Sequence, residues 1–255
     1  VIEFLPSVKL IPSKLKLIGI SPNTWELKFF GLKNNSFSYI GEGNILRNSI
    51  KRTFEKIKIQ DLDVSSLPNV PNGKYKVVID PGHGGSDPGA VGINGLRETD
   101  IVLEVSKNVS ELLIKKGVKT ILTRKDERTL DLHPRVIKAN NSKADVFVSI
   151  HANATRGKQK EVNGLETYYY SGSKGYSLAK NIHKQILITS SQSPDRGIKR
   201  SRFYVIRKSS MPAVLVEIGF VTGMYDAALL RQKAYRDKMS FAIAKGILNY
   251  LKVSN

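Results

Sequence analysis

From residue 74 onward, two hydrophobic rhythms alternate. Apolar runs near 75–80, 118–123, 145–150, 164–170, 202–206 and 213–218 read as strands. Between them, apolar residues return at helical spacing near 99–116, 134–142, 174–189 and 226–251. In the first of these helices Ile101, Val105, Val109 and Leu112 share a face, and Gly117 stands where a C-terminal cap belongs. Strands alternating with helices predict an α/β domain over 74–255, a mostly parallel twisted sheet with helices on both faces. Active groups in such a sheet collect at the carboxyl ends of strands. Residues 1–73 follow a different pattern. KLKLIGI and WELKFF read as short strands, IKRTFEKIKI alternates charged and apolar positions as a strand does, and LPNVPNG (67–73) reads as a linker. This part is predicted to be a small β-rich region, either a targeting module or a remnant packed on the larger domain. It contains no repeat and no catalytic constellation.

Two of the apolar runs end in a histidine. VVIDPGHGGSDPGA (77–90) passes from an apolar run through an acid into a Gly/Pro-rich loop that presents His83. ADVFVSIHANA (144–154) repeats the arrangement with His151. A Gly-rich turn after a strand can also bind phosphate or simply turn the chain. The second copy favours a site whose side chains are held by the strands before them. His133, just before Pro134 at a helix start, and His183, in a polar stretch of a helix, read as cap or surface residues. Glu217 lies inside the apolar run of SSMPAVLVEIGFVTG (209–223). A carboxylate there is paired, metal-bound or exposed at a strand end. It is either half of a structural ion pair, or a general base or metal ligand, and the two histidines favour the functional reading. Glu98 precedes the helix of GLRETDIVLEV. It is either a first-turn acid favoured by the helix dipole or a ligand reaching back to His83. Two histidines and one carboxylate, with water in the fourth position, make a catalytic zinc set, and a further carboxylate then acts on that water.

Composition adds bounds. The 255 residues, 40% hydrophobic, are enough for two domains with a core. No run of eighteen apolar residues is present, so no spanning helix is expected. No signal peptide is visible, and the chain opens on Val1 rather than methionine, as a removed N-terminus would leave it. The absence of cysteine suits an exported protein without fixing the compartment. The formal net charge is +19; residues 1–73 hold ten basic and six acidic residues, so most of the excess lies beyond them. DRGIKRSRFYVIRK (195–208) is especially basic, as a solvated face or as an attraction for a polyanion. There is no zinc-finger, RNP or helix-turn-helix signature, so nucleic acid is not an expected partner.

The blocks VVIDPGHGGSDPGAVG, GLRETD, SIHANA, GLETYYY, DRGIK and MPAVLVEIGFVTG occur in that order. Together they resemble the zinc-dependent N-acetylmuramoyl-L-alanine amidases of the Amidase_3 type, bacterial cell-wall amidases, over about residues 74–251. The variant GFVTGMYDAALL is similar to cyanobacterial members. The resemblance implies zinc on His83, Glu98 and His151, with Glu217 as the catalytic carboxylate. It also implies cleavage of the amide between N-acetylmuramic acid and L-alanine, in the periplasm or outside the cell, with peptidoglycan as partner. The stem-peptide carboxylates of that polymer suit a basic groove. Arg124 and Arg135 are candidates for contacts to the substrate oxyanion. Amino-terminal wall-binding domains of the AMIN type occur in the family, but residues 1–73 give no clear match. Some relatives carry a helical insertion that plugs the zinc site until an activator removes it. Here Tyr170 to Asp195 leaves space for one helix and a short Ser-rich loop, so an open site needing no activator is expected. A vestigial binding protein and a zinc-dependent sugar N-deacetylase are the rivals, and neither explains the ordered blocks.

Overall fold

The computed structural model describes residues 15–21, 24–29, 38–42, 62–157, 159–190 and 193–253. By its contacts the chain divides into Val1–Gln60 and Asp61–Asn255. In the first unit, strands β1 (Leu15–Ser21), β2 (Thr24–Phe29) and β3 (Ser38–Glu42) form an antiparallel sheet in that order. Residues 15–20 of KLKLIGI and 25–29 of WELKFF fall on β1 and β2; IKRTFEKIKI lies outside the described residues. The expected boundary at 73/74 and the contact boundary differ because residues 62–73 run with the larger unit. Leu67 is buried, and the Gly73 N–H donates to the Gly117 carbonyl at 2.7 Å.

The second unit is built on a six-stranded mixed sheet of β4 (Lys76–Pro81), β5 (Lys119–Leu122), β6 (Val146–Asn153), β7 (Leu165–Tyr169), β8 (Asp195–Arg200) and β9 (Ala213–Phe220). Their spatial order is β5-β4-β6-β9-β7-β8. All neighbours are parallel except β7 and β9, so β7 and β8 run against the other four. The chain leaves β4 for β5 on one side and then crosses to β6 on the other. The carboxyl ends of β4 and β6 therefore flank a topological switch point, the crevice where ligands of open α/β sheets bind.

Helices flank this sheet: α1 (Glu98–Lys115), α2 (Leu132–Asn141), α3 (Gly172–Thr189), α4 (Tyr204–Lys208), α5 (Met224–Leu230) and α6 (Lys233–Val253). α1 and α3 each pack on α6 and on the sheet. On α1 the fully buried row is Ile101, Val105, Val109 and Leu113, with Leu112 at its margin. α2 and α4 pack together through Val136, Ala139, Val205 and Ile206 onto Val78, Phe147 and Leu215 of the sheet.

Three elements differ from the sequence pattern. Residues 202–206 were expected as a strand, but 204–208 is helical, with the adjacent Val205 and Ile206 both buried instead of alternating. The sixth strand is DRGIKR, which the apolar pattern passes over. It is an edge strand paired to β7 alone, so it needs no buried row, and its charges discourage further strand addition. The single helix expected over 226–251 is two helices. Arg236 Nη1 donates to the carbonyls of Leu230 and Arg231 at 2.8 and 2.9 Å, satisfying acceptors freed at the break.

Candidate active site

Each of the four carboxylate and histidine candidates is delivered to the switch point by a different segment. The loop after β4 carries His83, the first residue of α1 is Glu98, and β6 and β9 place His151 and Glu217 as Cα partners in register. Close approach explains Gly82: a Cβ there would collide with the His151 ring.

His83 Nε2 lies 3.2 Å and His151 Nδ1 3.0 Å from Glu98 Oε1, and the rings meet edge to face with centroids 5.0 Å apart. One donor atom from each of the three residues can be chosen so that all lie within 4.8 Å of one another. Two of them are also oriented from behind. Asp87 Oδ2 is 2.7 Å from His83 Nδ1, which leaves Nε2 for the centre. Glu98 accepts the Ala152 N–H on Oε1 and the Ala90 N–H on Oε2, at 3.0 and 2.9 Å. Burial alone would raise the Glu98 pKa, but the two histidines hold it well below the ordinary carboxylate range. Burial alone would lower the His83 pKa; Glu98 and Asp87 outweigh it and raise it. Two imidazoles and a carboxylate form a donor set that suits a divalent ion of borderline softness.

Glu217 stands beside this triad without joining it. Its side chain is buried, and Oε2 has no hydrogen-bond partner among the described residues. Burial, with Glu98 and Glu166 nearby, raises its pKa well above the usual value. An orphaned buried carboxylate oxygen signals a group that awaits a partner such as a water or an ion.

Arg124 and Arg135 are turned into the protein. They are 1% and 2% exposed, and their guanidinium groups donate to backbone carbonyls of the loop that carries His83. Both were candidates for contacts to the substrate oxyanion, whereas their donors are engaged inside the protein. His183 also differs from its expected place: it is buried, with Nδ1 2.9 Å from Thr167 Oγ1 and Nε2 2.9 Å from Asp195 Oδ1. His133 remains near the surface, with Nδ1 3.0 Å from the Tyr204 hydroxyl.

The residue that the sequence left unremarked is Glu166, the carboxylate of GLETYYY. It is the register partner of Glu217 on the antiparallel strand and is itself buried. It accepts from Arg196 Nε (2.6 Å), Lys199 Nζ (2.8 Å), Asn153 Nδ2 (3.1 Å) and the Tyr168 hydroxyl. Burial would raise its pKa, but Lys199, Tyr168 and Arg196 lower it. Its signal in the sequence was a lone acid among β-branched and aromatic residues.

A mixed α/β sheet with two histidines and a carboxylate at its switch point, and a second carboxylate in reach, has the build of a metal-dependent hydrolase. Residues 77–249 match the Amidase_3 family, N-acetylmuramoyl-L-alanine amidase, and the chain belongs to that family. Among known proteins, the uncharacterized protein YqiI of Bacillus subtilis is 46% identical over 177 residues, covering 68% of this chain and 84% of that protein. N-acetylmuramoyl-L-alanine amidase LytC of the same organism is 41% identical over 179 residues, 69% of this chain but 35% of LytC. Among solved structures, amidase AmiC2 of Nostoc punctiforme superposes with a TM-score of 0.68 at 46% identity, covering 71% of this chain and 99% of that one. The catalytic domain of CwlV from Bacillus (Paenibacillus) polymyxa gives 0.66 at 39% identity, covering 70% and 99%. Matches of equal identity in Nostoc and Bacillus leave the lineage suggested by the GFVTG variant undecided.

Proposed function

We propose that this chain is a zinc-dependent N-acetylmuramoyl-L-alanine amidase that cleaves the bond between the lactyl carbonyl of N-acetylmuramic acid and the amine of L-alanine in peptidoglycan. The observation that carries the reading is the convergence of His83, Glu98 and His151 on one point beside the unpartnered carboxylate of Glu217. In this reading the first three residues hold the ion. A zinc ion there lowers the pKa of water to about 7 and polarises a carbonyl. Asp87 keeps the His83 ring turned with Nε2 inward. Burial and the neighbouring acids favour a protonated Glu217 in the metal-free site; a cation held by the triad would favour its ionised form, which takes a proton from the attacking water and returns one to the leaving amine. The products are a lactyl carboxylate and a free L-alanine amine. Action on this polymer places the protein in the periplasm or outside the cell. Among the described residues no helix is long and apolar enough to cross a membrane.

The site works without an activator in this reading. Between β7 and β8 the chain spends residues 172–189 on α3, whose Leu178, Ala179, Ile182 and Ile186 are buried in the core, so this helix is not available as a plug.

Digestion of purified sacculi tests both statements. Free L-alanine amino termini on intact glycans, produced by the purified chain alone and abolished by chelation, are the expected result. New reducing ends would make it a glycosidase, and unchanged sacculi a wall-binding protein. Full digestion after chelation would remove the metal, and digestion only with an added protein would remove the open site.

A further inference from the structure

Behind the site lies a buried polar network that none of this chemistry uses. Three successive carbonyls of the β4 loop, those of Pro81, Gly82 and His83, turn inward, where an unpaired acceptor is costly. Arg135 takes two of them, through Nη1 to Pro81 at 2.6 Å and Nη2 to His83 at 2.7 Å. Arg124 takes the third, through Nη2 to Gly82 at 2.7 Å, and shares Pro81 through Nε at 3.2 Å. The same Arg124 Nη2 lies 3.2 Å from Thr99 Oγ1, one residue after Glu98. Asp80 completes the network. It accepts from Arg135 Nη1 at 2.9 Å, from Thr123 Oγ1 at 2.6 Å, and from Ser149 Oγ at 2.8 Å, two residues before His151. One connected set of side chains thus touches the segments of all three donors.

The loop needs such support. His83 adopts φ +56°, a left-handed conformation that is unfavourable for a residue with a side chain and persists only where the surroundings over-determine it. At Gly84 φ is +127°, and a Cβ there would lie 2.8 Å from Arg124 Nε, so the guanidinium is packed directly under the turn.

We propose that Arg124 and Arg135 are positioning residues that fix the backbone of His83, and through it the donor triad, before a metal ion arrives. Arginine suits the task because its planar fork donates to several carbonyls at set angles, whereas lysine is a point charge. Lysine at 135 keeps the charge beside Asp80 but cannot hold the carbonyls of Pro81 and His83 together. The inference rests on the triad being the metal centre.

The test uses the full chain and reads zinc affinity by competition with a chromogenic chelator, beside the thermal midpoint of the metal-free protein. Arg135→Lys is compared with wild type and with Ile182→Ala, a cavity in the α3 core remote from the loop. Arg135→Lys should weaken zinc binding by about 10–100-fold, the usual consequence of losing support behind a ligand. Ile182→Ala should lower the midpoint and leave affinity unchanged. Unchanged affinity in Arg135→Lys, or an equal loss in Ile182→Ala, would overturn the proposal. If Arg135→Lys does not fold, Arg124→Lys takes its place. Failure of both to fold would make the arginines a requirement of the fold and overturn the positioning role. A wild type that binds no zinc would remove the metal reading itself, a result the wild-type arm tells apart.

Discussion

Glu217 and Glu166 face each other across one antiparallel pair, and they are opposites. Glu217 lies within β9, in the parallel half of the sheet; it is buried, lacks a partner on Oε2, and its pKa is raised. Glu166 begins a strand of the reversed half; it accepts from four donors, and its pKa is lowered. One residue type at one depth is thus set to hold a proton or to refuse one by its neighbours alone. The parallel half presents donors whose demands the chain leaves open. The reversed half closes its own electrostatics with Arg196 and Lys199.

The sharpest way to break this contrast is to neutralise each acid in turn. Glu217→Gln keeps the shape and removes the base, so hydrolysis of muropeptides should fall by roughly a hundredfold or more while zinc content is unchanged. Retained activity with lost zinc would make Glu217 a ligand and shift the role of base to Glu98. The carbonyl-binding arginines aside, His83→Ala should match that loss of activity but release the metal, which metal analysis separates from the Glu217 result.

Glu166→Gln should act mainly on stability. Replacing the carboxylate leaves Arg196 and Lys199 without their charged acceptor, at a cost of roughly 1–3 kcal/mol. Because the folded-state pKa of Glu166 is depressed, its contribution is complete above the ordinary value of 4.5 and is lost as pH falls through the folded value. The gap in thermal midpoint between wild type and variant should therefore be full at neutral pH and shrink below about pH 4.5. A gap independent of pH would mean that Glu166 contributes shape and not charge.

The same division governs what the sequence made legible. In the parallel half, strands buried on both faces are apolar runs, and a polar residue within or just after them stands out: His83, His151 and Glu217 were all visible this way. In the reversed half β8 is an edge strand, so DRGIKR carries no apolar rhythm and read only as charge. Two neighbouring buried residues, Val205 and Ile206, imitated a strand where a single helical turn packs on α2. Glu166 was hidden because its partners come from β6, β7 and β8, a meeting that only the β7–β9 reversal creates. Arg124 and Arg135, named as candidates for substrate contacts, show the converse. Burial turned two cations inward onto carbonyls, and one sequence records the charge but not the side it faces.

The smallest expected effect belongs to the outer charges of the reversed half. Arg200 and Arg202 are both exposed, and neither pairs with Glu166, which engages Arg196 and Lys199. Exposed charges act at long range, raise encounter rates with a polyanion and are screened over about 8 Å at physiological salt. Binding to purified wall should therefore weaken between low and physiological ionic strength. Arg200→Glu with Arg202→Glu should weaken it further and flatten that salt dependence. The thermal midpoint should change little, since surface charges away from a network contribute about 0–1 kcal/mol. Turnover on a small soluble muropeptide at saturation should also be unaffected, because neither side chain belongs to the triad or touches Glu217. Wall binding that ignores salt would leave these arginines as guards of the β8 edge, keeping a second strand from adding there. Loss of solubility in the double variant would then be the effect to look for, and it would place the charge of this strand with the fold and not with the substrate.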